Sequence, residues 1–283
     1  MKRRRRSIHT LLVLTVALAA AALPLSVGMG PRTGLKATTQ REKGFLPSRD
    51  GFEFRNVFRG SPLPAVLRNA ESGPLKAIKR GISSGLPGEY GLCGGMSLTA
   101  ADFYLARKGL PAADAAPEHG SSLYEYLYTR QTDSMGQLGA MAMKFWKWMS
   151  LPDTSQAGES AAKLSAQELP GLVKRLKARQ LVPVGLVYTS QAAGGRIWEN
   201  HQVLAYGVEE KAAGVVEIKI YDPNFPKDDR CVVRVSPLGK GKGAEVSAER
   251  VTGNNASKRV RGFFAMPYEP RIPPKGLAPV VSR

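Results

Sequence analysis

Apolar positions change their spacing partway along the chain. From Gly94 onward, Met96, Ala100, Phe103 and Ala106 or Arg107 recur three to four residues apart, the spacing of one helical face. Gly109 followed by Leu110 and Pro111 supplies a stop. A second helix is predicted in "SSLYEYLYTRQTD", residues 121–133, with Ser121 or Ser122 as its cap. A third covers the apolar, aromatic-rich stretch 134–150 and is expected to be packed on both sides. A fourth spans 164–180, where Leu172, Val173 and Leu176 face inward and the basic residues face water. Ser165 and Glu168 have capping-box spacing there, while Pro170 would equally suit a first turn. Beyond residue 180 the segments 181–190, 201–210, 215–223 and 231–237 are rich in Val, Ile and Tyr and read as strands, with 262–270 a further candidate. Helices first and an antiparallel sheet second make an α+β layout.

Before residue 85 the pattern is broken. Residues 26–60 are rich in Gly, Pro, Arg and Lys and hold one candidate short strand at 52–58. Residues 61–90 carry repeated Pro and Gly, with one short helical stretch at 63–70. The expected organisation is therefore a basic linker or arm over 26–84, a domain over 85–268 and a basic proline-rich tail over 269–283. Residues 1–25 stand apart. "MKRRRR" precedes an apolar run from Leu11 to Leu25, too short for a membrane span and suited to a signal peptide, with an uncleaved anchor as the alternative. Either reading exports the domain, as a secreted, periplasmic or anchored bacterial protein.

Charge narrows the function classes. The net charge of +18 is made of +12 over residues 1–80, −1 over 81–226 and +7 over 227–283. The motif-bearing middle is near neutral, which excludes a nucleic-acid-binding core with a basic stripe across its face. The basic ends fit either solvated tails or contact with an anionic envelope or membrane surface. Scattered histidines and cysteines give no metal-ligand spacing, and no phosphate loop or dinucleotide fingerprint is present, so neither a metal nor another cofactor is expected.

The stretch "YGLCGGMS", residues 90–97, sets a cysteine at a predicted helix start. Unpaired N–H groups and the dipole there favour a thiolate, and the Cys93 N–H is a natural oxyanion donor. Gly94 and Gly95 are expected to leave the sulfur open to a substrate backbone. A small buried side chain in a tight turn is the plain alternative, as is a disulfide to Cys231 in an oxidising compartment. Of the three histidines, His9 lies in the targeting segment and His119 in a polar loop suited to a solvated or capping role. His201 opens a strand, either as a base or as a histidine satisfied by a neighbour. Asp222 ends the next strand, so antiparallel pairing returns it beside His201, with Asn224 as a substitute orienter. A simple Asp-Pro-Asn turn is the alternative.

This order resembles the papain-like cysteine peptidase superfamily. "NHQVLAYG" is similar to its Asn-His-small-Val run leading into a glycine. "IKIYDP" resembles the strand that delivers its Asn or Asp, in the Asp-Pro form of bacteriocin-processing peptidases. "CGGM" is similar to uncharacterised bacterial exported proteins with that signature. The resemblance covers residues 85–235. It implies a papain-like fold, a helical lobe carrying Cys93 against a sheet carrying His201 and Asp222. Cys93 would be nucleophile, His201 base then acid, and Asp222 orienter, on peptide or protein substrates. Two departures are plain: no Gln stands in the few residues before Cys93, where Glu89 and Tyr90 stand, and Gly rather than an aromatic follows it. Gln202 and Asn200 are the candidates for the missing oxyanion donor. The expected function is an exported thiol hydrolase cleaving amide bonds through an acyl-enzyme. The alternatives are a catalytically weak or inactive papain-like binding module at the cell surface, a transglutaminase-like acyl-transferase, and a structural protein bridged by Cys93 and Cys231.

Overall fold

The computed structural model describes residues 44–60, 88–250 and 256–277. In chain order these contain α1 (Pro47–Asp50), β1 (Phe58–Arg59), β2 (Glu89–Tyr90), α2 (Cys93–Leu105), α3 (Ser122–Ser134), α4 (Ala140–Ser150) and α5 (Ala161–Lys177). The strands β3 (Val182–Val187), β4 (His201–Glu210), β5 (Val216–Tyr221), β6 (Cys231–Pro237), β7 (Ala244–Arg250), β8 (Ala256–Val260) and β9 (Gly262–Ala265) follow. The fold is α+β. Its antiparallel sheet runs β8-β7-β6-β5-β4-β3-β9 and curls into a half-barrel, with β9, the last strand in the chain, paired with β3.

Alternation decides which residues each layer receives. Val182, Val184 and Leu186 of β3, Val203 and Ala205 of β4, and Ile218 and Ile220 of β5 pack in one cluster with Leu172 and Leu176 of α5. Burying each such side chain stabilises the fold by about 1.5–3 kcal/mol relative to exposure. On the other side, Leu204 and Tyr221 meet Met96, Ala100 and Ala101 of α2 and Tyr124 and Leu127 of α3. α4 adds a smaller cluster, with Phe145, Trp148 and Met149 against Val187, Phe264 and Met266.

Several expectations change. Residues 44–60 are not a linker: Phe45, Phe52, Phe54 and Phe58 are all buried in the α2–α3 cluster. Buried residues 52, 54, 56 and 58 alternate with exposed 53, 55 and 57, as in a strand, but only Phe58 and Arg59 pair with β2, so the short strand expected at 52–58 is reduced to β1. The start of the tail is also docked. Arg271 donates its backbone N–H to Asp102 Oδ1 at 2.9 Å, and Lys108 Nζ donates to the Pro273 carbonyl at 3.1 Å. α4 is buried on one side only, leaving Met143 57% exposed, and starts late because Gly136 and Gly139 take positive φ ahead of it. α5 starts at Ala161, where the Ser160 side chain accepts the Lys163 N–H, and Pro170 lies inside the helix. Ser165 is not a cap: its hydroxyl donates to the Ala161 carbonyl and accepts the Phe263 N–H. β7 and β8 are additions, both more polar than the inner strands, with charged side chains on edge strand β8. The helical stretch at 63–70 and the apolar run 11–25 lie outside the described residues. No helix among the described residues is long and apolar enough to cross a membrane.

Candidate active site

α2 begins at Cys93 itself, so the thiol sits on the first turn of a 13-residue helix and is partly exposed. Among the described residues no acceptor takes the Cys93 backbone N–H, as expected for the first donors of a helix. The two glycines behind it do a different job from the one expected. Both are buried and neither lines the cavity in front of the sulfur. A methyl group on Gly95 would strike the Leu127 carbonyl, and one on Gly94 would strike the Gln202 amide and the Ser134 hydroxyl. They let α2 press closely on α3 and β4. The Gly95 N–H donates to Gln131 Oε1 at 2.9 Å.

The sheet brings the base and the acid together. His201 is the first residue of β4, opposite Leu186 of β3. Leu204 pairs with Tyr221, so Asp222, the next residue, emerges from β5 beside the start of β4. His201 Nε2 lies 2.7 Å from Asp222 Oδ1, with both residues buried. The carboxylate can only accept, so Nε2 carries the proton and Nδ1 is the nitrogen left for another partner. The Cys93 thiol is the other group close enough to the ring to act on its titration. Burial alone would lower the imidazole's pKa. The Asp222 carboxylate, and then Cys93, outweigh burial and push it up to about 10. Burial likewise raises the Asp222 pKa, but His201 and the Asn224 N–H, at 2.9 Å from Oδ1, hold it below its ordinary value. The arrangement favours an imidazolium paired with the Asp222 carboxylate.

The candidate donors separate. Asn200 is spent: its Oδ1 accepts the Tyr188 N–H at 2.9 Å, and its Nδ2 donates to the Ile197 carbonyl at 3.0 Å beside Met149 Sδ. It fixes the turn before β4 and has no N–H left for an oxyanion. Gln202 is buried, and its Oε1 is sealed against Gly94 without a partner. The residue is nevertheless among those lining the cavity.

That cavity measures about 980 Å³ and is lined by Cys93, His201, Gln202 and Asp222, with Tyr188, Trp198, Met135, Arg55 and Lys258 among its walls. It suits a ligand of drug to short-peptide size. Burial, and after it Asp222 and Cys93, raise the pKa of Tyr188, and Lys258 Nζ lies 3.8 Å from its ring centroid. Neither residue carried a signal in the sequence. Cys231 is a free thiol, buried, and pushed up to about 12 by burial and by Asp222 and Asp228. His119 is held by the Tyr90 hydroxyl at 2.8 Å and the Arg59 carbonyl at 3.0 Å, tying the β1–β2 ribbon to the loop before α3. Among the described residues no group of three or more His, Cys, Asp or Glu side chains could hold a metal ion.

No family model, curated protein or solved structure matches this chain.

Proposed function

We propose that this chain is a thiol hydrolase with a papain-like arrangement, acting on amide bonds of peptide-like substrates. The observation that carries the reading is the convergence of Cys93, His201 and Asp222, from a helix start and two adjacent strands, into one chain of contacts along a cavity wall. In this reading the Cys93 thiolate attacks the substrate carbonyl carbon, and the developing oxyanion is met by the Cys93 N–H and the Gln202 NH2. His201 passes a proton to the departing amine as the carbon–nitrogen bond breaks, leaving an acyl-enzyme. Water then attacks that acyl group, His201 takes the water's proton, and the acid leaves as the thiolate is restored. Asp222 keeps the imidazole in the tautomer that presents Nδ1 to sulfur. Export of the domain, and any hold on an anionic envelope surface, belong to the same proposal. They rest on the patterns of residues 1–25 and of the basic ends.

The test is alkylation by iodoacetamide near neutral pH, read by peptide mass spectrometry. Wild-type protein should carry one fast adduct at Cys93, and Cys93→Ala should carry none on that timescale, because Cys231 is buried and its thiol is held protonated. Equally fast labelling of Cys231 in Cys93→Ala would remove the basis for the assignment.

A further inference from the structure

Asn56 belongs to the segment expected to be an arm, yet it is buried and lines the same cavity as Cys93 and His201. It makes three hydrogen bonds, each to a residue adjacent to the reacting groups. Its Oδ1 accepts the backbone N–H of Leu92, the residue before Cys93, at 2.6 Å. Its backbone N–H donates to the Pro223 carbonyl at 3.0 Å, and its Nδ2 donates to Asn224 Oδ1 at 3.3 Å. Pro223 and Asn224 directly follow Asp222, and the Asn224 backbone N–H holds the Asp222 carboxylate.

The orientation of this amide is set by chemistry. The Leu92 N–H can only donate, so the oxygen of Asn56 must face it and the NH2 must face Asn224. Asn224 Nδ2 then lies 3.2 Å from His201 Nε2, a contact between two donors rather than a hydrogen bond, since the Nε2 proton goes to Asp222. One backbone N–H beside the nucleophile thus fixes two side-chain amides, the second on the residue whose backbone N–H holds the Asp222 carboxylate. Gly91 is shaped for this: a methyl group there would stand 2.7 Å from Asn56 Nδ2.

We propose that Asn56 is a positioning residue that sets the separation of Cys93 and His201, by tying the turn before Cys93 to the loop that follows Asp222. This rests on the thiol hydrolase reading. Cys93 belongs to the helical layer and the His201–Asp222 pair to the sheet, so their relative placement needs a tie across the two layers. Asn56 provides it from a third segment. A displacement of about 1 Å between reacting groups can cost ~10²-fold in rate.

The experiment measures the rate of Cys93 alkylation by iodoacetamide against pH in wild type, Asn56→Ala, Asn56→Asp and Gly91→Ala. At about pH 10 an accessible thiol is ionised whether or not a base holds it, whereas at about pH 6 it is ionised only beside an imidazolium. Asn56→Ala is expected to lose roughly tenfold to a hundredfold at the lower pH and to keep its rate within about twofold at the higher. A general loosening that merely exposed or hid the thiol would move both rates together. Asn56→Asp keeps the acceptor for Leu92 and should retain much of the lower-pH rate. Gly91→Ala keeps Asn56 but crowds its amide, and should reproduce the loss even if Asn56→Ala does not fold. An activated wild-type thiol with superimposable profiles in Asn56→Ala or Gly91→Ala overturns the role of Asn56 alone. A wild-type thiol that ionises near ~8.5 overturns the hydrolase reading and this role with it.

Discussion

Replacing Asp222 with asparagine removes one charge while keeping an oxygen acceptor 2.7 Å from His201 Nε2. In the wild type, burial pulls the imidazole's pKa down while the carboxylate and Cys93 push it up to about 10. Between the ordinary histidine value of about 6.5 and about 10 lies roughly 5 kcal/mol of preference for the imidazolium. That is the upper end of the ~3–5 kcal/mol lost when a buried ion pair is broken from one side. Without the carboxylate, burial dominates, and His201 in Asp222→Asn should titrate at or below about 6.5. The raised His201 stabilises the fold fully below about 6.5 and loses that contribution as pH rises through about 10. The depressed Asp222 contributes above about 3.9 and loses it as pH falls through its lower folded value. The thermal midpoints of wild type and variant should therefore differ most between about pH 4 and 6.5 and converge toward about pH 10. Carbon-13 ring signals of labelled histidine, assigned by the resonance missing in His201→Gln, give the titration directly. A wild-type midpoint near 6.5, or the same midpoint in wild type and Asp222→Asn, would refute this account of the pair.

Gln202→Ala should cut peptide-amide turnover by ~10²–10³-fold, the usual cost of one oxyanion donor, while Cys93 alkylation stays within about twofold, since that reaction develops no oxyanion. An equal loss in both assays would show that Gln202 acts on the thiol instead. Asp102→Asn should cost about 3–5 kcal/mol in urea unfolding, because Asp102 lies 2.7 Å from the Arg130 guanidinium at a site where both are almost fully buried. The pH profile of Cys93 alkylation should stay unchanged, since neither residue lines the cavity.

Some of this was legible in the sequence because it follows from regular geometry. Strands that pair antiparallel must return the end of one to the start of the next, so the His201–Asp222 approach could be read from their positions. A cysteine ahead of a 3.6-residue period marks a helix start, and α2 does start there. What stayed hidden was masked by composition. Phe52, Phe54 and Phe58 alternate with exposed residues but sit in a stretch rich in Gly, Pro and Arg that read as a linker, and β7 and β8 carry too many polar side chains to read as strands. The glycines were ambiguous for another reason. A residue without a side chain suits an open approach and a tight contact equally, and only the Leu127 carbonyl and the Gln202 amide facing Gly95 and Gly94 decide for contact.

The hidden parts are also those that bind the two layers of the site to each other. Apolar burial between α2 and the sheet, through Met96, Ala100 and Leu204, is strong but non-directional, and it tolerates small slides between the layers. A thiolate and an imidazolium tolerate far less. Directional bonds must therefore set the last ångström, and they run from residues outside the helix-then-sheet pattern: Asn56 to Leu92, Pro223 and Asn224, and Asn200 to Tyr188 before β4. Stability and site geometry are thus carried by different contacts. Truncating a core residue such as Leu204 should lower the unfolding free energy by about 2–5 kcal/mol. Disturbing Asn56 should act first on the pH at which Cys93 becomes reactive.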